Sequence, residues 1–247
     1  MKYLSSLFFI LFIPFCISAQ TQFIYKGRIE FEKKINQQKL IEDGGDNIWY
    51  QEMMKLMPKF TTDHFELVFN NKQSSYRLTK ENPDNKYILM GSKPSETDVV
   101  LTDVQTGMIN SQKDIFENTY LIKDSVHNTN WKILMETREI AGFECRKAVT
   151  KICDSVYVVA FYTDQIPVST GPESFGGLPG MILGLAIPRL YTTWFASKLE
   201  LLEPANDQLN PTLKGTKINR RQLLNEIKKG MKDWGKEGEK RIWQSQL

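Results

Sequence analysis

Histidine and cysteine are scarce in this chain, and their scarcity removes most metal and nucleophile chemistry. The 247 residues include two histidines, His64 and His127, and three cysteines. A protein zinc site needs three or four ligands, so two isolated histidines without HExxH spacing do not predict one. The sequence also lacks a CxxC pair, a GxSxG elbow and a phosphate-binding glycine loop. We therefore expect a noncatalytic protein without a metal or cofactor.

Long apolar runs are also absent, apart from one near the N-terminus. Lys2 precedes the run Leu7–Ile13, and small residues follow at 18–20. This is the layout of a cleavable secretory signal, and the run is shorter than the roughly 20 residues of a membrane-spanning helix. We expect residues 1–19 to be a signal peptide and the mature protein to be periplasmic or secreted.

The three cysteines do not predict a covalent function. Phe15 precedes Cys16, whereas lipidation signals carry a small residue at that position. Cys145 and Cys153 remain after signal cleavage, and an oxidising compartment would permit a disulfide between them. If both lie on one hairpin, however, about 26 Å of extended strand separates them, far beyond the roughly 7 Å between Cα atoms that a disulfide spans. We therefore do not expect an intramolecular disulfide, and the redox state of the two thiols stays open.

The charge of the chain is nearly balanced but unevenly distributed. The formal net charge is +3 at pH 7, yet residues 214–241 hold ten lysines and arginines against four acids. Such a segment is typical of a solvated helix face, and a peripheral contact with an anionic membrane surface is the alternative. Nucleic acid is not an expected partner of an exported protein.

Alternation of apolar and polar residues dominates the chain and predicts a β protein. In Phe23–Lys33, apolar residues at 25, 29 and 31 alternate with charged ones, as in a half-buried strand. Short links such as Ala141-Gly142 favour antiparallel pairing. Further strands are predicted at Phe65–Phe69, Ser75–Leu78, Val99–Asp103, Thr106–Gln112, Glu117–Ile122, Trp131–Glu136, Glu144–Thr150, Val156–Tyr162, Met181–Ala186 and Tyr191–Leu201.

Two helices are predicted to interrupt this meander. Residues 47–57 carry apolar side chains at helical spacing and end at Pro58. Near the C-terminus, Asn219 and Gln222 have the spacing of a capping box. Leu223, Ile227, Met231 and Trp234 then continue one helical face.

This order of elements predicts one domain built on a single curved antiparallel sheet. A strand, a helix and a long meander closed by a C-terminal helix suggest a half-barrel with a helix against its concave face, an architecture like that of periplasmic lipoprotein carriers. An architecture shared at this level implies no activity. We expect a β domain at 20–213 and a basic helix and tail at 214–247.

The segment 171–183 is the most specified backbone in the chain. Its sequence is GPESFGGLPGMIL, and Pro179-Gly180 before an apolar run predicts a type II turn that begins a strand. The segment resembles the signature of the GLPGLI family of exported bacterial proteins, with Met181 in place of a leucine. The resemblance extends over roughly residues 131–201. The residues assigned to this structural motif are Asp164, Pro167, Gly171, Pro172, Gly176, Gly177, Leu178, Pro179 and Gly180.

The resemblance implies a fold and a Gram-negative cell-envelope location but no activity, because the family has no established one. Asp164, Ser169 and Glu173 are the polar groups near the loop that a ligand would meet. Side chains of this kind commonly satisfy turn amides, and we favour that interpretation.

The candidate ligand- or partner-binding residues are therefore apolar. Phe175, Leu178 and Ile182 are expected to plug the open end of the sheet, or to line the mouth of a cavity if the loop is a lid. Methionines at 53, 54, 57, 181 and 231 offer thioethers to Cu(I), although core filling is the favoured interpretation. The full candidate set is Trp49, Met53, Met54, Phe175, Leu178 and Ile182.

Together these features predict a noncatalytic envelope protein that binds a hydrophobic small molecule or lipid. The alternative is a protein interaction module that accompanies an outer-membrane transport machine. Copper binding or an enzymatic activity comes third.

Overall fold

The computed structural model describes residues 22–44, 48–86, 93–115, 118–126, 130–152, 155–245 and 247. The predicted signal peptide at 1–19, with Cys16, lies outside the described residues, as do His127 and Cys153. No helix in the described ranges combines the length and apolar character needed to cross a membrane.

One sheet of twelve strands organises the described residues, and it is curved without closing. The spatial order is β12-β6-β5-β4-β3-β2-β1-β11-β10-β9-β8-β7 when the strands are numbered along the chain. Neighbouring strands are antiparallel except β12 and β6, which are parallel. The strands are β1 (Gly27–Asn36), β2 (Phe60–Phe69), β3 (Gln73–Lys80), β4 (Val99–Asp103), β5 (Met108–Ile115), β6 (Asn118–Ser125), β7 (Lys132–Ile140), β8 (Phe143–Ile152), β9 (Val156–Thr163), β10 (Met181–Ile187), β11 (Thr192–Glu200) and β12 (Thr216–Ile218).

The mainly β fold predicted from alternation is confirmed. Each of the eleven predicted strands overlaps a strand of the sheet. Strand β12 was not predicted, because three residues are too few to show a period of two. It pairs with β6 after Gly215, where the chain passes so close to β6 that a Cβ atom would lie 2.7 Å from the Thr119 carbonyl oxygen.

Five helices accompany the sheet: α1 (Gln37–Gly44), α2 (Ile48–Leu56), α3 (Asn206–Leu209), α4 (Arg220–Gly230) and α5 (Gly235–Gln244). The prediction of one helix after the first strand needs correction, because α1 precedes α2. Leu40 and Ile41 in α1 are buried, whereas Ile48 and Leu56 in α2 are exposed. An eight-residue helix with one buried pair shows too little periodicity to be recognised.

The capping box that begins α4 forms as predicted. The Gln222 amide donates to Asn219 Oδ1 at 2.9 Å, and the Asn219 amide donates to Gln222 Oε1 at 3.2 Å. The predicted continuation through Trp234 is wrong, because α4 ends at Gly230 and a separate helix, α5, begins at Gly235, which has φ +51°. Trp234 is 47% exposed as a result.

The basic C-terminal segment is only partly solvated. Arg220 forms an ion pair with Asp124, and Lys240 pairs with Asp43 at 2.9 Å. Lys240 and Arg241 are buried. Residues 228, 229 and 232 are exposed lysines, so part of the predicted solvated face exists at the end of α4 and directly after it. Further along, Leu247 packs in the main hydrophobic core.

The signature loop, residues 171–180, lies mostly inside the protein. Gly180 has no positive φ, so the predicted type II turn does not form; the left-handed glycine of the loop is Gly177, at φ +82°. Gly180 is required for space instead, because a Cβ atom there would lie 2.0 Å from the Thr163 carbonyl oxygen. The loop therefore needs glycine for a different physical reason from the predicted one.

Candidate functional site

A cavity of about 690 Å³ lies between the sheet and the C-terminal helices, and we call it the main cavity. This volume falls within the range of roughly 300–1,000 Å³ typical of ligand pockets. Strands β1 to β5 and β11 supply one wall, while α4, α5 and the residues around them supply the other. The apolar lining includes Ile35, Phe65, Val100, Ile115, Leu190, Ile227, Met231, Trp234 and Leu247.

Strand alternation places a lysine among these apolar residues. In β1 the odd-numbered residues from 27 to 35 face inward, and Lys33 occupies one of these positions. Its cross-strand neighbour on β11 is Trp194, and Lys33 Nζ lies 5.0 Å from the centroid of the indole ring. Nζ is also 5.5 Å from the ring of Phe65, which stacks on Tyr76. The aromatic rings thus help to hold a cation inside the sheet.

A buried carboxylate of the signature loop joins two such lysines. Glu173 Oε1 lies 3.1 Å from Lys33 Nζ, and Glu173 Oε2 lies 3.8 Å from Lys113 Nζ. We call this group the Lys33–Glu173–Lys113 cluster. Glu173 is 9% exposed and has a φ of +55°, an unfavourable backbone conformation for a non-glycine residue. The loop is thus held in a strained conformation that directs a charge into the cavity.

Burial and ion pairing shift the pKa values in this cluster in opposite directions. Burial acts to raise the pKa of Glu173, but the attraction of Lys33 and Lys113 outweighs it, so the pKa lies below its ordinary value. Burial lowers the pKa of Lys113 despite the opposing attraction of Glu173 and Asp98. The carboxylate is therefore ionised at neutral pH.

Asp98 is a second acid on the Lys113 side of the main cavity. Burial raises its pKa to about 6, although the charge of Lys113 and a hydrogen bond from the Asp114 amide act in the opposite direction. That amide donates to Asp98 Oδ1 at 2.8 Å. Asp98 thus titrates near neutrality, unlike Glu173.

Several polar atoms that border the main cavity have unmet hydrogen-bonding capacity. In the part of the chain that the structure describes, Tyr76 Oη, Trp194 Nε1 and Gln244 Oε1 are buried and have no hydrogen-bond partner. The Trp194 indole favours the charged form of Glu173, yet its N–H does not complete a hydrogen bond. Burial raises the pKa of Tyr76 well above its ordinary value, and the charge of Glu173 adds to this effect, so the phenol keeps its proton. Buried polar atoms normally have hydrogen-bond partners, so these unpartnered atoms indicate a candidate binding site.

The structure places the predicted binding residues elsewhere. Phe175, Leu178 and Ile182 are buried in the main hydrophobic core, and none of them lines the main cavity. Met54 is half-buried in α2 and also lies outside the cavity lining. Trp49 and Met53 belong to α2, but their side chains lie outside the described residues. Their function as binding residues stays a prediction.

The remaining sequence candidates are distributed through the protein. Met181 lies in the main core, whereas Met231 belongs to a second apolar cluster with Ile122, Leu223 and Ile227. His64 is on β2, and Cys145 is a buried free thiol. Burial raises the pKa of that thiol to about 12.

Among the polar residues near the signature loop, Ser169 agrees with the local interpretation and Glu173 does not. Ser169 Oγ accepts a hydrogen bond from the Gly177 amide at 3.0 Å, as a turn-stabilising residue does. Asp164 is exposed. Glu173 instead reaches Lys33 and Lys113, which are distant in sequence. A signal for these lysines exists, because both stand at inward-facing positions of their alternating strands.

Comparison with known proteins supports the sequence resemblance over one segment. A family model described as a protein of unknown function (Porph_ging) matches residues 150–184. This segment contains β9 and the signature loop, so the GLPGLI-type resemblance is confirmed there, and it carries no activity. No curated protein matches the chain.

Solved structures show a related fold. The chain is similar to PNGF-II in a C2 crystal form, with 15% identity and a TM-score of 0.53 over 80% of this chain and 31% of that one. A P21 form of PNGF-II gives 14% identity and a TM-score of 0.54 over 81% and 32%. The chain thus spans about a third of the length of PNGF-II, and likeness at this identity shows the fold alone. The MucA/MucB complex of Pseudomonas aeruginosa matches with 10% identity and a TM-score of 0.35 over 76% and 56%, which supports no inference.

Proposed function

We propose that this protein is a noncatalytic binding protein of the bacterial cell envelope and that its main cavity holds a hydrophobic ligand. The observation that carries the proposal is a cavity of about 690 Å³ whose walls include nine apolar side chains. A concave space of this volume, lined mainly by apolar side chains and open at the surface, is the usual form of a small-molecule binding site.

The arrangement of the walls supports a site that admits a ligand. One wall is the extended sheet, which strand pairing makes rigid. The other comes from α4 and α5, which are short helices joined at Gly235. Trp234 lines the cavity and is half exposed, so the cavity reaches the surface beside it. A hydrogen-bonded sheet on one side and two short helices on the other are well suited to enclosing an apolar molecule.

The envelope location rests on the N-terminal signal layout and on the family resemblance. The noncatalytic assignment rests on the cluster itself, because Glu173 is held ionised between two lysines and is a poor general base. Asp98 and Lys113 have shifted pKa values, which also occur at active sites, and this is the observation that favours an enzyme as the third candidate, after the interaction module. The interaction-module alternative predicts that the molecule bound to this chain in the envelope is a protein and not a lipid.

Titration with the neutral apolar probe N-phenyl-1-naphthylamine tests the proposal. We expect saturable fluorescence enhancement with one site per chain, and at least a tenfold weaker affinity in Ile115→Trp, whose larger side chain projects into the cavity and takes up part of the space for the probe. Ile133→Trp is the matched control, because Ile133 is exposed on β7 and does not line the cavity.

Organic extraction of protein purified from the envelope, followed by mass spectrometry, provides an independent test. Co-purified lipid supports the proposal. Absence of saturable probe binding, or equal binding by Ile115→Trp and the wild-type protein, overturns it. Specific protein adducts without lipid after crosslinking at Trp234 in cells favour the interaction module.

A further inference from the structure

The polar groups of the main cavity form one continuous patch. Glu173 contacts Lys33 and Lys113, while Lys33 lies over the Trp194 ring and Phe65 stacks against Tyr76. On the helical side, Ile227 and Met231 pack with Ile115 in the second apolar cluster. The cavity therefore combines a charged patch on the sheet with an apolar wall on α4, which is the lining that an amphiphile requires.

Hydrogen-bond donors outnumber acceptors in the charged patch. Each lysine ammonium carries three N–H groups, and the Trp194 indole and the Tyr76 phenol carry one donor each. Glu173 supplies one carboxylate to both lysines. Asp98 and Asp114 also line the cavity; one oxygen of Asp98 already accepts the Asp114 amide, and Asp114 accepts hydrogen bonds from three hydroxyl groups. On the sheet side of the cavity, the missing chemical complement is therefore an oxygen acceptor.

Two of the donors border the cavity but are covered by protein. Trp194 is 0% exposed and Tyr76 is 3% exposed, and neither Trp194 Nε1 nor Tyr76 Oη has a partner in the described part of the chain. Leaving a buried donor unpaired costs free energy, so a ligand oxygen gains from each donor once the neighbouring side chains shift to uncover it. Neither donor can obtain this hydrogen bond from bulk water.

From this geometry we propose that the ligand is a single-chain amphiphile with a carboxylate head group, such as a fatty acid. The head group contacts Lys33, Lys113, Tyr76 and Trp194, and the chain lies against α4. This inference depends on the proposed function, because it specifies the ligand class of the same cavity. A monoanion suits the patch because two lysines share one glutamate, whereas a dianion would stand beside the negative charges of Glu173 and Asp98. A cationic head group would be repelled by both lysines.

Displacement of N-phenyl-1-naphthylamine by three twelve-carbon compounds tests the head group. We expect dodecanoate to displace the probe at a concentration at least tenfold lower than 1-dodecanol, and dodecyltrimethylammonium to be weaker than both. Dodecyl phosphate is included as a fourth competitor. Its displacement of the probe at a lower concentration than dodecanoate would overturn the carboxylate assignment.

Single-residue variants test which atoms produce the preference for dodecanoate over dodecanol. Tyr76→Phe and Trp194→Phe remove one unpaired donor each, and we expect each to weaken dodecanoate binding by about three- to tenfold while leaving dodecanol unchanged. Tyr162→Phe is the matched control, because Tyr162 also has a buried unpartnered hydroxyl but does not line the main cavity. Lys113→Met keeps the Lys33 ion pair and is expected to abolish the preference for dodecanoate. Lys123→Met, on the exposed side of β6, is its control.

The outcomes separate this inference from the proposed function. If the probe binds but dodecanoate and dodecanol compete equally, the head-group inference fails and the hydrophobic site stands. If neither probe nor amphiphile binds, both fail. Thermal unfolding of each variant identifies misfolded protein, and Tyr76→Phe loses no protein hydrogen bond, so it provides a readout even if Lys113→Met does not fold.

Discussion

Replacing Glu173 with glutamine isolates the charge at the centre of the cluster. Glutamine preserves the size of the side chain and the backbone at φ +55°, and it leaves the ammonium groups of Lys33 and Lys113 without their shared counter-charge. The lysine side chains are 18% and 14% exposed, so water screens them poorly. We therefore expect the variant to be markedly less stable than the wild-type protein.

The size of the expected loss of stability follows from the distances between the Glu173 oxygens and the two lysine nitrogens. At an effective dielectric constant of about 20, unit charges 3.1 and 3.8 Å apart attract by roughly 5 and 4 kcal/mol. Part of this loss is offset, because the variant no longer buries a carboxylate. Breaking a buried ion pair by removing one partner typically costs about 3–5 kcal/mol, and we expect a decrease of this size in the free energy of unfolding.

Urea unfolding at pH 7 and 25 °C measures this decrease, with an unchanged slope showing that the surface exposed on unfolding is the same. Glu203→Gln is the matched control, because Glu203 also pairs with a lysine, Lys26, but its side chain is 73% exposed. We expect that control to be almost as stable as the wild-type protein. The double variant Glu173→Gln/Lys113→Met should recover part of the loss, since it removes one of the two unpaired cations. A loss in Glu173→Gln no larger than that of Glu203→Gln would refute the reasoning.

Two further predictions concern Asp98 and the signature loop. Burial raises the pKa of Asp98 from 3.8 to about 6, so its contribution to stability is full below about pH 4 and is lost as the pH rises through 6, by at most about 3 kcal/mol. Asp98→Asn should therefore gain stability relative to the wild-type protein between pH 4 and 7 in urea unfolding, and a pH-independent difference would contradict this. Gly180→Ala places a Cβ atom 2.0 Å from the Thr163 carbonyl oxygen and should cost about 3 kcal/mol, whereas Gly230→Ala has open space and should be neutral or stabilising by up to about 1 kcal/mol. Equal thermal stability of these two variants would show that the loop moves to accept the methyl group.

The alternation of apolar and polar residues was sufficient to predict most strands of the sheet. A period of two is visible in any strand of five or more residues with one buried face, so the predicted strands agree with the structure. The capping box at Asn219 was predictable for the same reason, since all its contacts lie within four residues. Elements with few buried residues, such as α1 and β12, leave no comparable pattern.

The candidate binding residues were chosen for their apolar character, and three of them lie in the main core instead of lining the main cavity. Phe175, Leu178 and Ile182 are apolar because they fill the main core. The residues around the main cavity are more mixed, and charged residues at inward-facing strand positions were the available signal. Lys33 and Lys113 both occupy such positions.

The sequence by itself determined the alternating strands and the capped helix, because each depends on neighbours a few residues apart. The need for glycine at Gly180 depends instead on the approach of the Thr163 carbonyl oxygen from a neighbouring strand. Only the tertiary structure decided that Glu173 meets Lys33 and Lys113, which lie 140 and 60 positions away in the chain. Strand order and sheet curvature set such distances, and neither has a local sequence pattern. The main cavity likewise exists only because α4 and α5 stand opposite the sheet.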